Sequence, residues 1–204
     1  MKLNTLLVCL VFVFSYASDS LAQFTPVVAK IKITETGSNG EQTKRQGFYY
    51  RSSAGDVMMT KFPVKENGEK LSEGLSFYVN ASTGATYVLS NVARKAKIRQ
   101  QRPLPLLPLP LPPPDQIIEE AVINGVSCVA VPIKNHRREK TGGKVWISTD
   151  SGVHVRMESY SRGSHLVQDL YDIQFTEPDP SKFGIPPDYI IDKDLSECRG
   201  CKHD

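Results

Sequence analysis

Residues 144–191 read KVWISTDSGVHVRMESYSRGSHLVQDLYDIQFTEPDPSKFGIPPDYII, and this stretch decides the predicted fold. Apolar and polar side chains alternate in it twice, from Val153 to Glu158 and from Val167 to Phe175. An alternation with a period of two places one set of side chains on a buried face and the other in water, as in a β-strand. Turn-forming residues separate the strands at TDSG (149–152) and SRGS (161–164). The stretch therefore predicts three antiparallel strands followed by a Pro-rich exit.

The same alternation recurs throughout the upstream part of the chain, between turns rich in Gly, Asn and Ser. Asn124-Gly125 is the strongest of these turn signals, because Asn-Gly is the preferred pair in a two-residue hairpin. No convincing amphipathic helix is present in the pattern. We expect roughly nine or ten strands, and hence an all-β fold: one strongly curved antiparallel sheet or an open barrel. The upstream strands are predicted at residues 27–34, 43–52, 57–62, 75–80, 85–90, 95–100, 117–123 and 126–133.

The first 22 residues have the pattern of a secretory signal peptide. Lys2 provides the charge, and the apolar run from Leu6 to Phe14 is too short to cross a bilayer, which requires about 20 residues. Small residues at Ser20 and Ala22 predict cleavage before Gln23. The remaining length suits one β-domain over 23–191, followed by a short polar tail over 192–204. We expect a periplasmic or secreted protein with no transmembrane segment.

The charge of the chain is mildly basic, with a formal net charge of +3. This is not the charge pattern of a dedicated nucleic-acid binder, so no nucleic-acid partner is predicted. Basic residues cluster at 94–102 and at 136–140. Two interpretations of these clusters remain open: contacts with anionic lipid head groups or cell-wall polymers, or solvated loops that protect sheet edges from aggregation.

Three cysteines follow the predicted signal peptide, namely Cys128, Cys198 and Cys201. In an oxidising compartment an odd count allows at most one internal disulfide, either within the tail or from Cys128 to a tail cysteine. The C-x-x-C pair lies near the chain end with no helix after it, which disfavours thioredoxin-like redox chemistry. His203 would add a third ligand in the tail, but zinc sites usually come from two well-spaced pairs. No metal and no cofactor is predicted.

Residues 103–114 read PLPLLPLPLPPP and contain seven of the 14 prolines of the chain. Proline lacks an amide donor and restricts φ, so this insert is expected to form an extended polyproline II segment between two groups of strands. Three roles remain open for it. It could be a recognition element for an envelope protein, a rigid spacer, or a cover whose leucines shield an apolar face.

Several motifs of the chain form a combined pattern. They are the strand Val145-Trp146-Ile147 before a D-x-G turn, the strand closing on Tyr171-Asp172-Ile173, the exit PDPSKF…IPPDY over 178–189, and the hairpin FYVN…GATYVL over 77–89. The pattern resembles that of the LolA/LolB-like superfamily of periplasmic lipoprotein carriers, and its ending is similar to that of uncharacterised secreted bacterial proteins. The resemblance implies a half-open barrel with an apolar concave face that holds acyl chains or a partner's hydrophobic segment. The chain lacks the N-terminal amphipathic helix that covers this face in the carriers.

The ligand-binding face is predicted from apolar positions of the alternating strands. An open apolar concavity is the usual form of a ligand site, although the same side chains could equally form the core of a closed domain. The predicted residues are Ile31, Ile33, Phe48, Phe77, Val79, Tyr87, Leu89, Val155, Met157 and Ile173.

No catalytic signature is present in the sequence: there is no G-x-S-x-G, no H-E-x-x-H and no phosphate-binding glycine loop. His154 and His165 have no nucleophile at motif spacing, and the neighbours Glu119 and Glu120 would point to opposite faces of a strand. We therefore predict a non-catalytic extracytoplasmic binding protein that holds a lipid or an acylated ligand. The alternative is an envelope interaction or sensor module that uses the same fold to bind another protein.

Overall fold

The computed structural model describes residues 24–101, 112–133, 141–161 and 163–192. The predictions for the signal peptide, for residues 103–111 of the Pro/Leu insert, for the basic residues at 136–140, and for Cys198 and Cys201 lie outside this part of the chain. Within it, no helix is long and apolar enough to cross a membrane.

The described residues form β-strands joined by short turns, together with two single-turn 3₁₀ helices at Pro114–Gln116 and Pro180–Lys182. No α-helix is present in these ranges. The strands are β1 (Val27–Thr36), β2 (Gln42–Arg51), β3 (Val57–Val64), β4 (Leu75–Asn80), β5 (Ala85–Ser90), β6 (Lys95–Gln101), β7 (Glu119–Ile123), β8 (Val126–Pro132), β9 (Thr141–Ser148), β10 (His154–Ser161), β11 (Ser164–Gln174) and β12 (Ile190–Asp192).

All twelve strands belong to one sheet, in the order β12-β6-β5-β4-β3-β2-β1-β11-β10-β9-β8-β7. Each half of the chain forms an up-and-down meander, and the antiparallel pair of β1 and β11 joins the two halves. The edge strands β12 and β7 are not paired with each other, so the sheet is open. The prediction of an all-β fold built on one open antiparallel sheet is confirmed. The resemblance implied such an open sheet in the form of a half-open barrel.

The sequence-based boundaries differ from the structure in a few places. The β4–β5 hairpin has the predicted bounds, because its turn residues are local signals. Strand β9 begins at Thr141, three residues before the predicted stretch that starts at Lys144. A Cβ at Gly143 would lie 2.0 Å from the backbone oxygen of Glu158, so glycine permits a close strand approach here rather than marking a loop. The short parallel strand β12 was not predicted, because three residues are too few to show a period.

The pairing register defines the two faces of the sheet, because residues directly opposite each other on antiparallel strands point to the same side. Ile31 pairs with Gly47 and with Leu170, and we call their side the Ile31 face. Lys30 pairs with Phe48, which in turn pairs with Thr60, and we call that side the Phe48 face. Among the described strands, the register shifts at bulges near Asp172, near Val155 and near Thr86.

The hydrophobic core changes side across the sheet. At its centre the core lies on the Ile31 face and contains Val27, Ala29, Ile31, Ile33 and Leu170. Towards β6 it lies on the Phe48 face, where Met58, Tyr78, Leu89 and Ala96 are buried. Towards β7 a third cluster, which includes Cys128, Ala130 and Trp146, is also on the Phe48 face by its register with Arg156 and Asp169. The sheet therefore has no single inner surface.

The chain leaves β11 through residues 178–189, the exit segment, which crosses the Phe48 face. Phe183, Ile185 and Tyr189 pack against the Met58 cluster. The Asp179 side chain accepts a hydrogen bond of 2.8 Å from the Ser181 amide and so begins the 3₁₀ turn. At its far end, Arg94 and Asp188 form an ion pair of 2.8 Å before β12 joins β6. The exit segment thus covers part of a sheet that has no α-helix on it in the described residues.

Candidate functional site

A groove of about 590 Å³ lies between the exit segment and the Phe48 face. Its volume falls in the range of small-molecule sites, roughly 300–1,000 Å³. The sheet provides one wall and the exit segment provides the other. The lining residues are Phe48, Tyr50, Met58, Thr60, Ser76, Leu89 and Asn91 from the sheet side, and residues 181–187 from the exit segment.

A second hollow, of about 480 Å³, adjoins the groove on the same face. Phe48 and Tyr50 line both spaces, so these two rings stand between them. The second hollow lies at the β1–β11 bulge, where Asp172 has a φ of 51°. The bulge displaces β11 locally from its regular pairing and so opens the sheet surface beside Val28 and Lys30. Together the two spaces form a path across β1, β2 and β3.

Aromatic rings form the middle of this path. Phe48 and Tyr50 are stacked, with ring centroids 6.4 Å apart and planes 15° apart, and Phe62 lies 6.4 Å from Phe48 on the other side. Phe48 keeps 42% of its surface exposed. An exposed aromatic ring beside a concave apolar surface is typical of an interaction site. Phe48 and Tyr50 come together because alternate residues of β2 point to the same face, and Phe62 joins them from β3, where it pairs with Gln46.

The floor of the groove is polar and carries a chain of side-chain hydrogen bonds. The hydroxyls of Thr60 and Ser76 are 2.9 Å apart, and the Asn91 amide donates to the Ser76 hydroxyl at 3.2 Å. The Tyr189 hydroxyl donates to Asn91 Oδ1 at 2.9 Å and so connects the exit segment to the floor. Ser76 is only 6% exposed. The groove therefore combines apolar walls with an uncharged polar floor.

Charged groups lie at the margins of the two spaces. Lys30 forms an ion pair of 2.8 Å with Asp172 at the second hollow, and this hydrogen bond is the main reason that the pKa of Lys30 is raised. Both side chains are more than half exposed, so the pair is screened by water. In the groove, Lys182 is the one charged residue among the described lining residues, and it is exposed. Burial raises the pKa of the Tyr189 hydroxyl above its ordinary value.

The structure divides the ten predicted ligand-binding residues between the two faces. Five share the Ile31 face by register: Ile31, Ile33, Phe77, Val79 and Met157. Three share the Phe48 face: Phe48, Tyr87 and Leu89. Val155 and Ile173 lie at bulges, where pairing is irregular. Ile31, Ile33, Leu89 and Val155 are buried in the core.

Three of the ten line the spaces described above: Phe48 and Leu89 the groove, and Phe48 and Ile173 the second hollow. Sequence reasoning did not identify Thr60, Ser76 or Asn91, because polar residues of a strand are normally assigned to its wet side. It also treated the exit segment as a motif and not as a wall of a site. The role of the ten residues in ligand binding stays a prediction.

Cys128 is buried, and its thiol donates to the backbone oxygen of Val126 at 3.3 Å. Burial raises the pKa of the thiol, so it is neutral and weakly nucleophilic. No disulfide partner for it lies within the described residues, and its pairing with a tail cysteine stays a prediction. In the same part of the chain, no group of three or more His, Cys, Asp or Glu side chains could hold a metal ion.

Solved structures match this fold. An uncharacterised conserved protein from Thermus thermophilus matches with a TM-score of 0.53 at 10% identity, over 86% of this chain and 91% of that one. The complex of MucA and MucB from Pseudomonas aeruginosa matches with a TM-score of 0.46 at 11% identity, over 80% of this chain and only 56% of that one. A LolA superfamily protein from Nitrosomonas europaea matches with a TM-score of 0.42 at 9% identity, over 78% and 90% of the two chains.

A LolA superfamily protein is thus among the solved structures to which this chain is similar, and it belongs to the group that the sequence motifs resemble. At such identities the likeness concerns the fold and not a ligand. No family model matches the sequence, and no curated protein matches it.

Proposed function

We propose that the protein is a non-catalytic, extracytoplasmic binding protein that holds a lipid or an acylated ligand on the Phe48 face. The ligand lies in the groove under the exit segment and extends past Phe48 into the second hollow. The single observation that supports this most directly is the pair of adjoining hollows, of about 590 and 480 Å³, on either side of an exposed aromatic ring. An acyl chain in these hollows buries its apolar surface against their walls, and this burial is the main driving force for holding the chain.

The exit segment has the position that a cover requires. Phe183 and Ile185 pack over the Met58 cluster, while residues 181–187 leave a groove beside it. In this proposal the segment shields part of the acyl chain from water, which is the task of the amphipathic helix in the carriers that the sequence resembles. Most of the affinity comes from apolar contact, so binding depends on the shape of the groove more than on charge.

Binding is tested with a fluorescent fatty-acid probe and two matched variants of the mature protein. Phe48→Ser removes the ring between the two hollows, and Phe77→Ser makes the same change on the Ile31 face. We expect Phe48→Ser to weaken probe binding about tenfold, from the loss of roughly one buried aromatic contact, and Phe77→Ser to leave it unchanged. Equal loss in both variants would place the ligand elsewhere, and native mass spectrometry without any bound lipid would argue against the function.

The extracytoplasmic location is part of the proposal and rests on residues 1–22. We expect export to remove this segment, so that the mature chain begins at Gln23. The intact mass of protein recovered from the periplasm or the medium tests this. A chain that retains Lys2 and stays in the cytoplasm would contradict it.

A second candidate is binding of an envelope protein, and the open edge of the sheet favours it. Strand β7 is an edge strand, and beside or within it Ile118 and Val122 are 58% and 69% exposed. An exposed edge with apolar side chains can pair with a strand of another protein. Pull-down with and without residues 103–114 separates the Pro/Leu insert from this edge, and Val122→Lys tests the edge itself. Loss of a partner without loss of the lipid would support this second function.

A further inference from the structure

The polar floor of the groove restricts the class of ligand more than the apolar walls of the groove do. Thr60 and Ser76 face each other across β3 and β4, and their hydroxyls lie 2.9 Å apart below the aromatic wall. Asn91 continues the chain and is itself held by the Tyr189 hydroxyl at 2.9 Å. Ser76 is buried and bonded to both Thr60 and Asn91, so its own hydrogen-bonding sites are used. The Thr60 hydroxyl bonds only to Ser76, and the Asn91 amide group has a second N–H, so these two residues carry the remaining hydrogen-bonding capacity of the floor.

The floor carries no charge. Ser76 is 6% exposed, whereas Lys182, the one charged residue among the described lining residues, is on the exposed exit segment. A carboxylate moved to the floor would lose its hydration and would gain no cation in return, which is costly. An uncharged group with hydroxyls loses less on desolvation, and it can donate to the Thr60 hydroxyl and accept from the Asn91 amide group.

We infer that the groove recognises the uncharged, hydroxyl-bearing head group of an acylglycerol, with the head on Thr60 and Asn91 and the acyl chain along Phe48 and Tyr50. This inference rests on the proposed function and defines the class of lipid for that same groove. Apolar walls alone would accept any acyl chain of suitable length. Among ligands with the same acyl chain, the polar floor favours those whose head group is uncharged and carries hydroxyls.

Two ligands with the same acyl chain test the inference, namely 1-palmitoylglycerol and palmitate. Each lipid is titrated against the fluorescent probe bound to the mature protein, at concentrations below those at which the lipid forms micelles. Displacement of the probe gives the affinity of the lipid. We expect 1-palmitoylglycerol to bind about tenfold more tightly, because its head makes one or two net hydrogen bonds while the carboxylate must be desolvated or stay at the mouth. Equal affinity, or tighter binding of palmitate, overturns the inference.

Variants distinguish the floor from the walls. Thr60→Val removes one hydroxyl from the floor at nearly constant shape, and Ser76→Ala provides a second test if that variant is unstable. Thr86→Val is the matched control, since Thr86 pairs with Val79 on the Ile31 face. We expect Thr60→Val to reduce the tenfold preference to about twofold, and Thr86→Val to preserve the preference.

A preference retained in both Thr60→Val and Ser76→Ala overturns the inference and leaves the proposed function in place. If neither lipid displaces the probe, or no probe binds, the proposed function and the inference both fail. The two proposals therefore fail in different ways.

Discussion

Lys61 Nζ on β3 donates a hydrogen bond of 2.9 Å to Gln168 Oε1 on β11, although β2 and β1 lie between these strands. Neighbouring strands are about 4.8 Å apart, so three spacings on a flat sheet separate the two backbones by about 14 Å. Side chains that stand perpendicular to a flat sheet would not meet over that distance. The two long side chains therefore lean towards each other across the Ile31 face, over Gly47, which has no side chain.

Lys61 also carries a charge that has no carboxylate partner within ion-pair distance among the described residues. Its ammonium lies 5.7 Å from the Phe77 ring centroid. Burial, with a further contribution from Arg45, lowers the pKa of Lys61 from its ordinary value of 10.5. We expect Lys61→Met to stabilise the protein by about 1 kcal/mol at pH 7, because it removes a half-buried charge without exposing apolar surface. Urea unfolding measures the difference, and exposed Lys32→Met is the control.

Lys61 also makes the stability of the protein depend on pH, and the direction of its pKa shift determines the sign of this dependence. Between the lowered pKa of folded Lys61 and 10.5, the unfolded chain binds more protons, so its contribution to stability rises with pH in this window. Tyr49, whose pKa is raised by burial, opposes this above pH 10. The difference between wild type and Lys61→Met isolates the lysine. We expect the advantage of the variant to shrink as pH rises towards 10.5, and a constant advantage would contradict this account.

Gly47 lies between Lys61 and Ile31 in the pairing register and permits the close approach of β3. A Cβ at Gly47 would lie 1.7 Å from the backbone oxygen of Thr60, whereas a Cβ at Gly142 would have no atom within 4 Å. We expect Gly47→Ala to lower the free energy of unfolding by about 3 kcal/mol, since backbone must move to accommodate the methyl group. Gly142→Ala should change it by less than about 0.5 kcal/mol. Chemical denaturation compares them, and a harmless Gly47→Ala would refute the close strand approach.

Two ion pairs of the sheet differ in burial and should differ in their effect on stability. Arg156 Nε and Asp169 Oδ1 are 2.6 Å apart with side chains only 29% and 21% exposed, while Arg94 and Asp188 are 69% and 49% exposed. We expect Asp169→Ala to cost about 2 kcal/mol, because it leaves the half-buried Arg156 without its partner. Asp188→Ala should cost less than about 1 kcal/mol. Thermal unfolding of the two variants is the measurement, and equal losses would show that burial does not decide the outcome.

The exit segment should loosen when its hydrogen bond to the groove floor is removed. Tyr189→Phe deletes the donor to Asn91 Oδ1 and retains the ring that packs on the Met58 cluster. We expect a loss of about 1 kcal/mol and faster amide exchange in Ile190–Asp192, which follows Tyr189 directly. Tyr160→Phe, at an exposed ring, is the control. Unchanged exchange in Ile190–Asp192 would mean that the apolar contacts alone hold the segment.

Local patterns were sufficient to predict most strands. The alternation in β1, β2 and β11 and the turn residues of the β4–β5 hairpin involve only neighbouring residues, so the sequence contains them in full. The candidate site could be predicted less completely from the sequence. Periodicity states which residues of one strand share a side, but Phe48 and Phe77 could be assigned to opposite faces only from the pairing of β2, β3 and β4.

The sequence by itself determined the all-β class, the succession of hairpins and the apolar side chains at alternate strand positions. These features follow from the period of the side chains and from the turn residues. Tertiary structure alone decided which face is buried at each strand, where the bulges fall at Val155 and Asp172, and that the exit segment forms one wall of a groove. Burial depends on curvature and on what covers the sheet, and both arise from contacts between residues that are far apart in the chain, such as Lys61 and Gln168.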